Sequence, residues 1–170
     1  MTDSESIATL AEALVSELIE AGRTVATAES CTGGWIAKAL TDVPGSSAAF
    51  GYGFVTYSDA AKRQLIGVPA ATLAAHGAVS EETVEAMVRG ALEASGADHA
   101  VAVSGIAGPD GGTDAKPVGL VWIAYATRGN NEGVTVKTSE NRLSGDRAAI
   151  RARSVVIALQ GLREELRQDR

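Results

Sequence analysis

The sequence predicts an α/β fold, a three-layer α/β/α sandwich around a mixed central sheet, and three observations carry that expectation. Helical and strand-like apolar patterns alternate through the first half of the chain, as layered α/β domains require. Three strand candidates then follow one another and are closed by a long helical pattern. The apolar content is 45% but the aromatic content only 4%, so the core must be built from Ala, Val, Ile and Leu, the residues of sheets covered on both faces.

Taken in order, Ile7, Leu10, Leu14, Leu18 and Ile19 recur at helical spacing and Gly22 stops them. Residues 24–28 read as a buried strand. Gly33-Gly34 opens a second helix through Trp35, Ile36 and Leu40 toward Pro44, and residues 50–57 are β-rich despite their glycines. Ser58-Asp59 starts a helix carrying Lys62, Leu65 and Ile66, which ends at Gly67-Val68-Pro69. Ser80 caps a further helix with Glu81 and Glu82 in its first turn and Val84, Met87, Val88, Ala91 and Leu92 on its apolar face, closed by Gly96. Residues 100–103, 119–125 and 133–138 are the successive strands, and a helix runs from about 145 to 166.

At 170 residues the chain is expected to form one domain over residues 1–170. Its net charge of -6 argues against a nucleic-acid surface, and it has no apolar run long enough to span a bilayer. One cysteine, Cys31, excludes an internal disulfide and suits a cytoplasmic location. The acidic start is unlike a secretory signal. A homodimer is expected of a small enzyme.

Several groups carry possible chemistry. The loop from Ser104 to Thr113 holds Gly105, Gly108, Gly111 and Gly112, which reads either as a backbone cradle for phosphate or as a turn between strands. It matches neither a Walker A loop nor a dinucleotide fingerprint. Ser30, Thr32 and Gly33 lie between a strand and a helix start, where an anion is favoured, although Ser30 or Thr32 also suits a plain N-cap. Cys31 is either a thiol nucleophile or a small buried hydrophobe. His76 and His99 have no metal-ligand spacing and read as surface or turn residues, so neither a metal nor another cofactor is expected. What remains is Ser-Lys chemistry, in which a lysine with a depressed pKa takes the proton of a serine. Lys62, flanked by Ala60-Ala61 and Leu65-Ile66, suits that role better than Lys38 or Lys116, and the alternative is a solvated helix lysine.

These same segments resemble the CinA C-terminal domain family, the nicotinamide mononucleotide deamidases. The likeness rests on Thr27-Ala28-Glu29-Ser30-Cys31-Thr32-Gly33-Gly34, on Gly45-Ser46-Ser47 with Gly53-Phe54-Val55-Thr56-Tyr57 and Ala60-Ala61-Lys62, on Gly77-Ala78-Val79-Ser80-Glu81-Glu82-Thr83, and on Ser104 to Pro109 through Lys116-Pro117-Val118-Gly119. It implies a metal-independent amidohydrolase of pyridine nucleotide salvage, converting nicotinamide mononucleotide to nicotinic acid mononucleotide and ammonia. By position in the motif it implies Ser47 as nucleophile, Lys62 as base and Tyr57 as hydroxyl partner. Ser30 is the second choice of nucleophile and otherwise a substrate or oxyanion contact. Thr32, Gly33, Ser104, Gly105, Gly108, Gly111, Gly112, Arg147 and Arg151 are expected around the substrate, with the two arginines four apart on one helix face. Ser104 stands where threonine is expected in many relatives, and the larger CinA proteins carry a further N-terminal domain whose activity is not expected here. A nucleotide-binding or regulatory module of the same fold is the alternative.

Overall fold

The computed structural model describes residues 3–129 and 133–169. The chain opens with helix α1 (Asp3–Ala21), strand β1 (Val25–Glu29) and helix α2 (Trp35–Thr41), then a single 3-10 turn (Ser46–Ala48) leads into β2 (Phe50–Val55). Helices α3 (Asp59–Ile66), α4 (Ala70–His76) and α5 (Glu81–Ser95) follow. Strands β3 (His99–Gly105), β4 (Leu120–Arg128) and β5 (Val134–Arg142) precede the final helix α6 (Arg147–Gln168).

The sheet order is β2-β1-β3-β4-β5. β1 runs parallel to both β2 and β3, while β4 pairs antiparallel with β3 and with β5. The sheet is therefore mixed, as expected. Strand alternation divides its side chains between two cores. Val25, Val101, Val103, Val121, Ile123 and Tyr125 pack with α1, α2 and α6. Ala26, Ala28, Ala100, Ala102, Ala124 and Ala126 pack with α3, α4 and α5, and these alanines let α5 sit close to the sheet. The result is the three-layer sandwich.

Close approach recurs between α3 and α5. Gly90 is in the interior of α5, and a Cβ there would lie 1.8 Å from the carbonyl oxygen of Ile66. Glycine, otherwise unfavourable inside a helix, is what allows the end of α3 to rest on α5.

Two expectations need correction. Helix α4 was not anticipated, because its seven residues bury a single large apolar side chain, Leu73, and give no readable period. His99 is not a surface or turn residue: it begins β3 and is 1% exposed. Its Nδ1 is 3.1 Å from the Thr127 hydroxyl and its Nε2 3.6 Å from Asp169, and burial holds its pKa below the ordinary histidine value. Among the described residues no helix is long and apolar enough to cross a membrane.

Candidate active site

The parallel strands β1, β2 and β3 end at one edge of the sheet, the edge where α/β proteins bind ligands. Ser30 follows β1 directly, Thr56 and Tyr57 follow β2, and Ser104 and Gly105 close β3. Ser30, Tyr57, Ser104 and Gly105 surround a cavity of about 220 Å³ that Lys62, Cys31 and Arg147 also line. In the larger hollows, of about 450 Å³ beside Arg23 and Asp169 and about 470 Å³ beside His76 and Trp122, no serine hydroxyl among the described residues is recorded in contact with a lysine or histidine.

Lys62 reaches this cavity because α3 starts in the correct phase. Ser58 is the N-cap, its hydroxyl accepting the Ala61 amide at 3.1 Å, and the helical period then turns Lys62 and Ile66 inward together. The lysine is only 1% exposed. Its Nζ donates to the Thr56 carbonyl at 2.9 Å and meets Ser30 Oγ at 3.2 Å. Burial lowers its pKa, while Asp59 and Cys31 act in the opposite direction. The two recorded partners of Lys62 among the described residues are thus a backbone carbonyl that accepts from Nζ and a serine hydroxyl in direct contact with it.

Ser30 is fixed by its backbone. Its amide donates to the Val103 carbonyl at 2.9 Å, tying the turn to β3. The turn enters α2 through Gly34, which stands at the N-cap without a capping side chain. The fully buried Glu29 supplies the missing acceptor, taking the amides of Gly34, Ile36 and Ala37 at 3.1, 3.0 and 2.8 Å. The sequence reading gave Glu29 no role. Its signal was a carboxylate at a strand end just before a helix start that had glycine where a cap belongs.

The remaining expected residues divide between cavity and framework. Arg147 donates to the Gly108 carbonyl at 2.8 Å and to the Tyr57 hydroxyl at 2.9 Å, and with 60% of Tyr57 exposed the pair stands at the mouth. Ser104, 1% exposed, donates to the Ala78 carbonyl at 2.7 Å. Thr32 is fully buried, with its hydroxyl unpartnered among the described residues. Arg151 differs from its expected place. It does not line the cavity, and its Nε and Nη2 donate to the carbonyls of Cys31 and Thr32, each at 3.0 Å. Gly33 lies beside that guanidinium, whose Nη2 would be 3.5 Å from an added Cβ.

Two further expectations differ from the structure. Ser47 is not brought to Lys62: it is exposed on the 3-10 turn before β2, whereas Thr56 and Lys62 lie beyond its far end. Six residues at ~3.3 Å each place roughly 20 Å of strand between the two ends. The glycine loop is also not an open cradle. The Thr113 amide donates to the Lys116 carbonyl and that of Gly119 to the Ile106 carbonyl, while added Cβ atoms at Gly108 and Gly112 would strike Val118. Its glycines permit the loop to fold against residues 117–119, and Gly111 and Gly112 are exposed away from the cavity. Cys31 lines the cavity, but desolvation by burial raises its thiol to about 11, so little thiolate is available as a nucleophile.

The family model for the CinA C-terminal domain matches residues 7–166. The chain is 54% identical over 169 residues to "Nicotinamide-nucleotide amidohydrolase PncC" of Escherichia coli strain K12, covering 99% of both chains. It is 51% identical to a "CinA-like protein" of Akkermansia muciniphila, aligning 95% of this chain with 38% of that longer protein. Among solved structures, the competence/damage inducible protein CihA from Agrobacterium tumefaciens superimposes with a TM-score of 0.89 at 46% identity, covering 95% of this chain and 96% of the other.

Proposed function

This chain belongs to the CinA C-terminal domain family, and from that membership together with the contact between Lys62 and Ser30 we propose that it is a nicotinamide-nucleotide amidohydrolase with a Ser-Lys mechanism. Its substrate is nicotinamide mononucleotide, and its products are nicotinic acid mononucleotide and ammonia. The support is of two kinds. A full-length relative at 54% identity has the name of that activity. The observation that carries the mechanism is a lysine with a lowered pKa, buried at 3.2 Å from a serine hydroxyl in a cavity.

The neutral Lys62 amine accepts the Ser30 proton as Oγ bonds to the carboxamide carbon, giving a tetrahedral oxyanion. The Lys62 ammonium returns its proton to the amide nitrogen, the C–N bond breaks, and ammonia leaves an ester on Ser30. Water then attacks that ester as Lys62 takes its proton, the C–Oγ bond breaks, and the Lys62 ammonium returns the proton to Ser30 Oγ as the carboxylic acid product leaves and ionises. The Thr56 carbonyl holds Nζ in place throughout. Arg147 and Tyr57 stand at the mouth, where the ribose and phosphate of a bound mononucleotide would emerge, and Arg147 supplies positive charge there. None of these steps requires a metal ion.

The test is ammonia release from nicotinamide mononucleotide by the purified chain in the presence of EDTA. Turnover undiminished by the chelator is expected. A chain that binds the nucleotide and releases no ammonia would instead be the binding module of the same fold.

A further inference from the structure

The turn that presents Ser30 is gripped from two sides by side chains outside the cavity. Residues 30–34 pass from β1 to α2 through Gly33 and Gly34 at φ 62° and 94°, and glycine gives this turn little stiffness of its own. At the amide side, Glu29 takes three N–H groups of the α2 start. At the carbonyl side, Arg151 takes the Cys31 and Thr32 oxygens, with its guanidinium 5.4 Å from the centroid of the Trp35 ring.

We propose that Arg151 is a positioning residue, which sets Ser30 Oγ against Lys62 Nζ by holding the two carbonyls that follow the serine, with Glu29 as its counterpart at the amide end. A planar guanidinium offers two donors at fixed spacing, so a turn whose adjacent carbonyls both meet it is fixed in translation and in rotation. Trp35 in turn limits the guanidinium itself through its ring face. The spacing of four residues explains the division of labour on α6: Arg147 points at the cavity mouth, and Arg151, one turn later, meets the back of the nucleophile turn. The consequence falls on the chemical step, because a serine displaced by a fraction of an ångström from its base still allows binding but loses reactive alignment. This rests on the reading of Ser30 and Lys62 given above.

The experiment compares wild type, Arg151→Ala and Arg151→Lys in the full chain. It measures kcat and KM for nicotinamide mononucleotide and for its phosphate-free riboside, and amide hydrogen exchange over residues 30–37. Arg151→Ala is expected to lower kcat on the order of 10²-fold with KM little changed, by a similar factor for both substrates, and to speed exchange at 30–37 while β3 stays protected. Arg151→Lys keeps the charge and stem without the fork, so it should recover only part of the loss. It also carries the comparison if the alanine variant does not fold. A rise in KM confined to the mononucleotide, with exchange unchanged, would make Arg151 a phosphate contact and overturn the proposal. The exchange arm needs no turnover. A wild-type chain releasing no ammonia therefore counts against the function, whereas unchanged exchange in both variants counts against the clamp.

Discussion

Lys62 couples the chemistry of the site to the stability of the fold, because one burial serves both. Desolvation depresses its pKa below the ordinary lysine value of ~10.4, which suits it to the proposed role of base and also makes its charged form costly in the folded state. Between its folded and unfolded pKa values the unfolded chain binds more protons, so this group makes stability rise with pH across that window. Below the folded value the buried ammonium carries its full penalty. Lys62→Met should therefore abolish ammonia release, and its stability relative to wild type should be most favourable at lower pH and decline as pH rises toward 10. Urea unfolding of both proteins at several pH values checks the trend. A stability difference independent of pH would mean that Lys62 is not perturbed in the folded chain. Lys62→Arg should be nearly as inactive as Lys62→Met, since guanidinium stays protonated at working pH.

At the scale of elements, the proposed base and nucleophile are delivered by different connections, and each depends on a close approach. The turn that carries Ser30 hangs between β1 and α2, where Glu29 replaces a local cap. Lys62 rides on α3, which ends against α5 at Gly90. Gly90→Ala would push a methyl group into the backbone carbonyl of Ile66, and backbone cannot yield as a side-chain tip can. A loss of more than about 2 kcal/mol of stability is expected, with a fall in kcat as α3 shifts Lys62. Thermal unfolding and steady-state kinetics on the one variant check both parts. An alanine accepted without loss would mean that α3 and α5 are not in contact at this point.

Across the whole molecule, the layers were legible because long elements repeat their signal: five apolar positions at helical spacing in α5, and strands whose β-branched residues alternate with alanine. Helix α4 was not, since a single buried Leu73 makes no pattern. The site was legible in part. Local sequence singled out Lys62 through its apolar neighbours, and the strand-to-helix position of Ser30 marked that turn. What sequence could not give was which serine faces the lysine, because Ser30 and Lys62 are 32 residues apart and meet only through the parallel pairing of β1 with β2. Motif position favoured Ser47, which the same pairing sets at the opposite edge of the sheet. For the same reason Arg151 looked like a substrate residue from its spacing to Arg147, although its partners lie 120 and 119 residues away in the turn that follows Ser30. The most direct measurement of the central claim is ammonia release from nicotinamide mononucleotide by Ser30→Ala and Ser47→Ala, prepared and assayed side by side. Loss of activity to background in Ser30→Ala with Ser47→Ala close to wild type is the expected result; an active Ser30→Ala and an inactive Ser47→Ala would contradict it.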